Sequence, residues 1–445
     1  MENSLSVVKV LKTEFERLII SEELYSMLLQ GNLYEFEQKL HQTLFTLYDR
    51  ICETAINFIS KTPEFVSAQK IKAKKIGLKK LEFRKATLQL RTGIKINYDS
   101  LYAKVAPENY TGSRHISSLI WGSSLSCSPM YKSLSCLFSV LCPSFEVSKS
   151  LMNYQDIKAN TDRIRQVSLS LSEECMEKRE TIQLDKEDTL AGKRVVIAMD
   201  GGRTRTRVYE EGKVGRAEKF DRPWKEPKLF VITTLDEKGR PNKVDKPIYD
   251  ATFGDDETFE LLGKYLKNLE IDKAESVQFL ADGAPWIWNR VKLFLLNLGV
   301  REDKIIETLD CYHAMEHVNE MKVYFDKDKQ VSHFKKLKEE LWQGNFGEMT
   351  KLIKEGIADV ELEDFTPFKY FKKQQNRIDY QSLKADNRPC GSGIIESGIR
   401  RIINLRFKSP SSFWYLENVE KLIFMRGVAL SGRWEIMMKN KFYNQ

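Results

Sequence analysis

Three aspartates stand where apolar stretches of the sequence end. Asp200 closes KRVVIAMD, Asp282 follows the apolar part of SVQFLADG, and Asp310 closes KIIETLD. Ligands of α/β proteins bind at the carboxyl ends of the strands, so carboxylates at these places predict a shared site. Glycine follows Asp200 and Asp282, which lets the backbone turn sharply there. The alternative is structural, because a single strand-end Asp is more often a helix cap than a catalytic group.

A fourth carboxylate, Glu396, lies among glycines in CGSGIIESGIRR. The G-x-G-x-x-G pattern of dinucleotide loops needs glycine at position 396, and a carboxylate there would repel a pyrophosphate, so no small-molecule cofactor is expected. If Gly393 caps a helix, Glu396 can cap the backbone at the third helical position. Alternatively, Glu396 joins Asp200 and Asp282 as oxygen ligands of two Mg²⁺ or Mn²⁺ ions. Such a pair, about 3.5 to 4 Å apart, supports phosphodiester chemistry.

Histidines and tryptophans near these aspartates are further candidates. His313 stands three residues after Asp310, and His317 follows one helical turn later. This spacing also suits a zinc pair or simple packing, but no third ligand of the right type is evident, so zinc is the weaker interpretation. Trp286 and Trp288 in APWIW could stack on an unpaired base, although we expect at least one of them in the core because they follow a buried strand.

Basic residues are concentrated in one stretch. The chain of 445 residues has 71 Lys and Arg against 63 Asp and Glu, a net charge of +8 that does not indicate nucleic-acid binding by itself. Between Lys70 and Lys95, however, ten basic residues accompany one acid, Glu82. This density either attracts a polyanion or marks a solvated helix face. The candidate DNA contacts in this stretch are Lys74, Lys75, Lys79, Lys80, Arg84 and Lys85.

Several arginines elsewhere are also placed to contact DNA. Arg203 alternates with Arg205 and Arg207 along one predicted strand, a pattern that suits backbone contacts. Arg400 stands four residues after Glu396, on the same helical face, and could neutralise a phosphate or pair with an acid. The remaining candidates are Arg163, Arg165 and Arg401.

Composition narrows the class of protein. An apolar fraction of 42% with 30% charge is typical of a soluble globular protein. No secretory leader pattern and no apolar run of membrane-spanning length occurs, so we expect a cytoplasmic location and no membrane partner. The seven cysteines are odd in number, scattered and without C-x-x-C pairs, which argues against disulfides and a structural zinc site.

The elements that must position these residues follow from periodicity. In residues 1–60 apolar residues recur at three- and four-residue steps, which predicts helices. The segment ATLQLRTGIKINY predicts a hairpin with a basic outer face around Thr92-Gly93. Three helices between 128 and 175 could be a helix-turn-helix or an ordinary bundle. A polar linker at 173–188 is followed by an antiparallel meander, predicted from KRVVIAMD, TRTRVYEE and PKLFVITTLD. A helix comes next, then a strand with the sequence SVQFLADG. A second helix from 284 to 298 and a strand with the sequence KIIETLD follow. Residues 320–388 are predicted to be helical.

Five stretches in this order resemble the motifs of DDE transposases of bacterial insertion sequences, of the ISKra type. They are VVIAMDGGRTRTRV, RPWKEPKLFVITTLD, FLADGAPWIWNRV, ETLDCYHAMEHV, and CGSGIIESGIRRIINLRFK with the tail SGRWEIMM. The resemblance spans residues 193–437. It implies an α/β RNase H-like catalytic domain with a mixed five-stranded sheet flanked by helices, a helical insertion domain and a mainly helical N-terminal DNA-binding region.

The resemblance also assigns roles. The family's two Asp and one Glu fall on Asp200, Asp282 and Glu396, which would be catalytic and hold two ions. DCYH is similar to the [C/D]-x-x-H signature of Mutator-like and hAT transposases, which implies that His313 touches the scissile phosphate or an active-site acid and that Asp310 supports it. The expected partners are transposon-end and target DNA and further copies of the chain, in a bacterial or archaeal nucleoid. The WKEPK motif also matches, without an evident role beyond packing.

The resulting domain prediction has six parts. They are 1–65 (helical, oligomerisation), 66–112 (basic segment and hairpin), 113–185 (helix-turn-helix-like), 190–319 (catalytic, first part), 320–388 (helical insertion) and 389–445 (catalytic, second part, with the Glu-bearing helix). Two other functions remain open at this point. One is a transposase-derived DNA-binding regulator that no longer cuts, and the other is an RNase H-like nuclease without strand transfer.

Overall fold

A computed structural model describes residues 12–13, 15–16, 22–177, 179, 188–209, 219–325, 330–356, 365–409 and 412–443. The chain divides into two compact units, residues 1–171 with 440–445, and residues 172–439. The finer six-part division stays a prediction, and parts of the predicted linker and insertion domain lie outside the described residues. No helix within the described ranges is both long and apolar enough to cross a membrane.

The first unit begins with helices and a long hairpin. Helices α1 (Glu22–Leu29), α2 (Leu33–Ile59) and α3 (Pro63–Lys75) precede strands β1 (Lys79–Gln89) and β2 (Lys95–Val105). Asn32 and Thr62 cap α2 and α3 through their side-chain oxygens. The two strands pair antiparallel around the Thr92-Gly93 turn, with Leu88 opposite Ile96. This confirms the predicted hairpin and extends it into the basic stretch.

The rest of the first unit is helical, as predicted. A short helix α4 (Ile116–Ile120) leads to α5 (Pro129–Leu141), α6 (Phe145–Tyr154) and α7 (Thr161–Met176). Ser128 and Ser144 cap α5 and α6 by accepting from backbone N–H groups. Tyr131, Met152 and Ile164 are buried between these helices. The three-helix arrangement is therefore present, while its use as a helix-turn-helix stays a prediction.

The second unit is built on a five-stranded mixed sheet. Its strands are β3 (Arg194–Gly201), β6 (Pro227–Thr234), β7 (Ile248–Phe253), β8 (Ser276–Ala281) and β9 (Ile305–Leu309), in the order β7-β6-β3-β8-β9. Strands β3, β6 and β7 pair antiparallel, whereas β3, β8 and β9 are parallel. The central strands are buried along most of their length, as their continuous apolar sequences predict. The expected α/β class with a mixed five-stranded sheet is confirmed.

One predicted strand is wrong. TRTRVYEE contributes only a two-residue strand, β4 (Thr204–Arg205), which pairs with β5 (Trp224–Lys225) outside the main sheet. The third strand of the meander is instead β7, with the sequence IYDATF. Alternating arginines gave TRTRVYEE a strand-like period, but they leave it too polar for a sheet buried on both faces. The last two residues of that stretch, Glu210 and Glu211, lie outside the described residues.

Helices cover the sheet. Helix α8 (Asp255–Asn268) buries Phe259, Leu262 and Leu266 in one cluster with Ile197 and Phe279 of the strands. The helix predicted from 284 to 298 is divided at Asn289 and Arg290 into α9 (Pro285–Trp288) and α10 (Val291–Asn297). Helix α11 (Cys311–Met321) directly follows β9.

The helices of the predicted insertion region share one buried core with β9 and α11. It contains α12 (Gln330–Gln343), α13 (Phe346–Gly356), α14 (Thr366–Gln374) and α15 (Tyr380–Ala385), and the described part of 320–388 has no strand. Leu337, Met349 and Phe371 are fully buried in this cluster together with Val318 of α11.

The Glu-bearing segment returns to the sheet. Helix α16 (Gly393–Gly398) continues through a π-helical stretch (Ile399–Asn404) into α17 (Leu405–Phe407), and α18 (Leu416–Leu430) and α19 (Trp434–Phe442) follow. Helix α16 packs against β3 and β6. Gly398 lies so close to Leu229 and Val231 that a Cβ there would stand 3.0 Å from each side chain.

Candidate active site

Asp200 and Asp282 lie at the same level on neighbouring strands. Ala198 of β3 pairs with Leu280 of β8 in parallel register, and each aspartate follows two residues later. Both carboxylates accept local backbone hydrogen bonds, Asp200 from Gly201 at 2.6 Å and Asp282 from the N–H of Ala284 at 3.0 Å. These bonds fix the two side chains at the carboxyl edge of the sheet, where the sequence predicts them.

The electrostatic environment of Asp200 is unfavourable for its charge. Burial, together with the negative charges of Asp282 and Glu226, raises the pKa of Asp200 to about 6, against the opposing effects of the Gly201 N–H and His313. Two neighbouring acids, of which Asp200 has its charged form destabilised by burial and by the charge of the other, are an arrangement that a structural role does not need. They are typical of a site that binds a cation or transfers a proton.

Asp310 forms the centre of a buried hydrogen-bond cluster. Its fully buried carboxylate accepts from the backbone N–H groups of Tyr312 (3.2 Å), His313 (3.3 Å) and Ser392 (2.8 Å), so it caps α11. It also accepts from Nδ1 of His313 at 2.5 Å. Burial alone would raise the pKa of Asp310, but these hydrogen bonds outweigh it and lower the pKa.

The surroundings of His313 favour its protonated form. The hydrogen bond to Asp310 raises the pKa of His313 to about 9 against the effect of burial, and the charges of Asp310, Asp282 and Glu316 contribute. Its side chain is 42% exposed and lies within the field of both Asp200 and Asp282. A protonated imidazole beside two carboxylates is a hydrogen-bond donor to an anion that binds at this edge.

Glu396 is connected to the same cluster through Ser392. The Ser392 hydroxyl donates to Oε1 of Glu396 at 2.6 Å, while the Ser392 N–H donates to Asp310. Ser392, and not Gly393, is the residue before the helix, so Glu396 is the fourth helical residue and its side chain does not cap the backbone. The capping interpretation of Glu396 is therefore wrong, because the helix begins one residue earlier than the glycine pattern suggests.

The donor chemistry of Asp200 and Asp282 fits a divalent cation, because a cation between them would remove the repulsion that raises the pKa of Asp200. The third ligand is not in place. Among the described residues, no three His, Cys, Asp or Glu side chains form a group that could hold a metal ion. His313 and His317 likewise form no such group, since Nδ1 of His317 donates to the Glu320 carboxylate (2.9 Å) and its ring contacts the Tyr370 ring at a tilt of 40°, with a centroid distance of 3.8 Å.

Three residues of the site were missed by sequence reasoning. Ser392 is buried between the glycines of CGSG, a position that only the fold connects with Asp310. The Tyr370 ring comes from α14, and a Cβ at Gly283 would lie 2.2 Å from it. Burial raises the pKa of Tyr370, and the charges of Asp282 and Asp310 add to that effect.

The third missed residue is Glu226 of WKEPK. A Cβ at Gly201 would lie 2.0 Å from its Oε1, so the Glu226 carboxylate lies directly beside the glycine that follows Asp200. Glu226 pairs with Lys228 at 2.6 Å, and Lys228 lies over the Trp286 ring at 4.5 Å. The one sequence signal for Glu226 is that the WKEPK motif follows the VVIAMDGG motif along the meander.

The two tryptophans have different environments. Trp288 is buried, its indole N–H donates to the Asp282 carbonyl, and Arg377 lies over its ring at 4.5 Å. Trp286 is half-buried and contacts Phe259 edge to face. At least one of the pair is therefore a core residue, as expected, and Trp288 has no ring face available for a base to stack on.

The predicted DNA contacts in the first unit are exposed, with one exception. The six residues at the base of the hairpin, Lys74, Lys75, Lys79, Lys80, Arg84 and Lys85, are all exposed, and so is Arg165. Arg163 is different: its guanidinium donates to Gln89 at 3.2 Å, to Gln166 at 2.9 Å and to the Leu125 carbonyl. These internal bonds give Arg163 a structural role, and its DNA contact stays a prediction.

In the second unit Arg203, Arg400 and Arg401 are exposed. Arg401 is also near Tyr249, with Nη1 at 3.5 Å from the hydroxyl. Arg203 stands two residues after Gly201 and Arg400 one turn after Glu396, so both lie close along the chain to acids of the site. Their DNA contacts stay a prediction.

Comparison with solved structures gives a remote similarity. A chain in a solved structure described as a pre-cleavage Mos1 transpososome is similar with 10% sequence identity, over 66% of this chain and 74% of that chain, at a TM-score of 0.15. A TM-score this low supports neither a fold nor a function. No protein-family model matches the sequence, and no curated protein matches it.

Proposed function

We propose that this protein is a DNA transposase of an insertion sequence, which binds terminal inverted repeats and catalyses Mg²⁺-dependent end cleavage and strand transfer. The observation that carries the proposal is the Asp200–Asp282 pair, two carboxylates in register at neighbouring strand ends, with the pKa of Asp200 raised to about 6. Acids held in this way weaken the fold, so their presence at a sheet edge favours a functional role.

The sheet topology supports an RNase H-like catalytic domain. The antiparallel meander β3-β6-β7 is followed by two parallel strands, β8 and β9, each reached through helical segments. Asp200 comes at the end of the first strand and Asp282 at the end of the fourth. The order of elements and acids is the one that the resemblance to DDE transposases implies, with the helices of 320–388 inserted before Glu396.

In this proposal Asp200 would ligate two Mg²⁺ ions, and Asp282 and Glu396 one each. When bound, Mg²⁺ lowers the pKa of a coordinated water and stabilises the leaving oxygen of a phosphodiester. The His313 imidazolium would donate to a non-bridging oxygen of the scissile phosphate, and Asp310 would keep that imidazole protonated and oriented. Hydrolysis would free a 3′-hydroxyl at the element end, and this hydroxyl would then attack target DNA.

The first unit would supply DNA binding. Its exposed lysines and Arg84 at the base of the hairpin form a positive surface suited to phosphate contacts. Because two element ends must be held together for strand transfer, we expect a homodimer or larger assembly on DNA. Helices α1 and α2 carry exposed apolar side chains, among them Tyr25 and Leu29, which would suit such an assembly.

The test is an end-cleavage assay on DNA that carries the sequences flanking the gene. We expect Mg²⁺-dependent strand cleavage by the natural protein and its loss in Asp282→Asn and Glu396→Gln variants that fold normally. Glu302→Gln, a change of an exposed acid in the same unit, is the matched control and keeps cleavage. Full cleavage by both site variants would refute the assignment.

A second function, a DNA-binding regulator without cleavage, is favoured by one observation. Glu396 is bonded to Ser392, and no three-ligand group is present among the described residues. This candidate predicts specific binding to element ends without metal-dependent nicking. The same assay therefore separates the two functions.

A further inference from the structure

A small ribbon leaves the sheet at Asp200 and carries arginines stacked on aromatic rings. We call it the Arg-aromatic ribbon and define it as residues 203–208, 220–226 and 413–415. Thr204 and Arg205 pair with Lys225 and Trp224, and Val208 pairs with Asp221. Residues 413–415 join the other edge, where the Arg207 N–H donates to the Trp414 carbonyl at 2.9 Å. The ribbon is thus a continuous hydrogen-bonded extension of β3.

Three of the four arginines of the ribbon lie over aromatic rings. The Cζ atom of Arg205 is 4.9 Å from the Trp224 ring centre, and that of Arg207 is 4.1 Å from the Tyr415 ring centre. Arg222 lies over Phe413 at 5.0 Å and over Phe220 at 5.4 Å. Cation–π contacts of this kind hold both partners in a flat, preorganised surface.

These rings are not part of a hydrophobic core. Trp224 is 53% exposed, and it belongs to none of the buried clusters of the described chain. Arg205 and Arg222 are exposed as well. A tryptophan used only to stabilise the fold would bury its ring, since that burial supplies most of its contribution. The exposure of Trp224 beside a fixed guanidinium therefore needs another explanation.

The ribbon is also basic. It contains five basic residues, Arg203, Arg205, Arg207, Arg222 and Lys225, against two acids, Asp221 and Glu226. A positive surface with aromatic rings that offer a π-face is the combination that binds nucleic acid with unpaired bases, because phosphates bind the cations and bases stack on the rings. Duplex DNA, whose bases are already stacked, uses only the charges.

We propose that the Arg-aromatic ribbon binds unpaired nucleotides of the DNA strand that enters the candidate active site, with Trp224 as the stacking platform and Arg205 as a phosphate contact. The proposal rests on the proposed function for the source of the strand. Arg205 is five residues beyond Asp200 on the same extended chain, a span of about 16 Å. Glu226, the last residue of the ribbon's second segment, lies beside Gly201, and Lys228 pairs with Gly201, so the WKEPK motif connects the ribbon with Asp200.

The test measures binding of a fluorescein-labelled 20-nucleotide DNA of mixed sequence, as a single strand and annealed to its complement. It uses the full chain with Asp282→Asn, in EDTA, so that cleavage plays no part. We expect Trp224→Ala to weaken single-strand binding roughly tenfold and duplex binding by less than about twofold, whereas Trp224→Phe keeps most of the affinity. Arg205→Gln is expected to reduce the slope of log affinity against log salt by about 0.7 for the single strand.

Matched controls are Trp342→Ala, a tryptophan 45% exposed on α12, and Arg240→Gln, an exposed arginine paired with Asp236. Neither change should affect binding. Equal affinity of Trp224→Ala and the parent for the single strand, or equal losses for single strand and duplex, would overturn the proposal. If Trp224→Ala does not fold, the quenching of indole fluorescence by the single strand is measured instead. The proposal requires this quenching to be smaller in Trp224→Phe than in the parent and unchanged in Trp342→Phe.

Failure of the ribbon and failure of the proposed function give different results. If the ribbon binds DNA but the protein is not a transposase, Trp224 governs single-strand binding and no end cleavage occurs. If the protein is a transposase but the ribbon is not a binding site, the end-cleavage assay with an intact Asp282 gives the same rate for Trp224→Ala and the natural chain.

Discussion

Ser392 and Glu396 are joined by a hydrogen bond of 2.6 Å from the serine hydroxyl to the glutamate Oε1. Because the Ser392 N–H is bound to the buried Asp310, this bond links the position of Glu396 to the turn that follows β9. Glu396, which the sequence predicts as a metal ligand, is thereby held by the residues that follow β9, the strand separated from β3 by β8. Ser392 is a positioning residue in this arrangement.

Ser392→Ala should therefore release Glu396 without disturbing the fold. Loss of one hydrogen bond predicts a fall in unfolding free energy of about 1 kcal/mol, measured by urea denaturation. In the end-cleavage assay we expect a decrease on the order of tenfold, because an unrestrained side chain is misplaced for most of the time. Ser397→Ala, in the same helix but exposed, is the control. Additive stability losses in Ser392→Ala with Glu396→Ala would show that the two side chains do not interact.

Asp200→Asn should stabilise the protein at neutral and alkaline pH. A carboxyl with a folded-state pKa of about 6 and an ordinary value of 3.8 is fully compatible with the fold below pH 4, and the stability it contributes is lost as the pH rises through 6. The amide has no such penalty, so at pH 8 the variant should be more stable by about 1 to 2 kcal/mol. Urea denaturation at pH 4 and pH 8 measures this. The exposed Asp303→Asn is the control, and an equal effect at both pH values would contradict the assigned environment of Asp200.

For His313, as for Asp200, the contribution to stability falls as the pH rises. Here, however, the charged form is the favourable one, so replacing the side chain is expected to destabilise the protein. Its pKa is raised to about 9, so the stability it contributes is complete below its ordinary value of 6.5 and is lost as the pH rises through 9. The difference in Tm between the natural protein and His313→Gln should decrease between pH 7 and pH 10. NMR titration of the His313 ring is the direct measurement. An inflection near pH 6.5 in the natural protein would mean that Asp310 does not hold the charge.

Divalent cations should stabilise the natural protein through Asp200 and Asp282. Binding to the folded state alone at ten times the dissociation constant adds about 1.4 kcal/mol to the unfolding free energy. We expect Mg²⁺ or Mn²⁺ to raise Tm in the natural protein and not in the Asp200→Asn, Asp282→Asn double variant. Asp256→Asn with Glu257→Gln, two exposed neighbouring acids on α8, tests for general surface binding. A rise of equal size in both double variants would refute the site.

The sequence predicts the parts of the site that depend on local order. Asp200, Asp282 and Asp310 are found because each ends an apolar strand, and parallel register then brings strand ends to one edge. Tyr370, Glu226 and Ser392 depend on contacts across long separations, and nothing in their own surroundings marks them. Strand β7 was missed for a physical reason: IYDATF contains Asp250, a charged residue that interrupts the apolar run and that the fold neutralises with Arg179.

The ion pair between Arg179 and Asp250 is buried in the second unit. Arg179 binds both oxygens of the buried Asp250, at 2.8 and 2.9 Å, and donates to the Ala251 carbonyl at 2.7 Å, while the Tyr265 hydroxyl donates to Asp250 at 2.9 Å. Arg179→Met would leave the Asp250 charge buried without its partner. We expect a loss of about 3 to 5 kcal/mol in unfolding free energy by urea denaturation, against less than about 1 kcal/mol for the exposed Arg240→Met. Restoration of stability by adding Asp250→Leu to Arg179→Met would show that the unpaired charge causes the loss, whereas no restoration would assign it to the missing packing of the arginine.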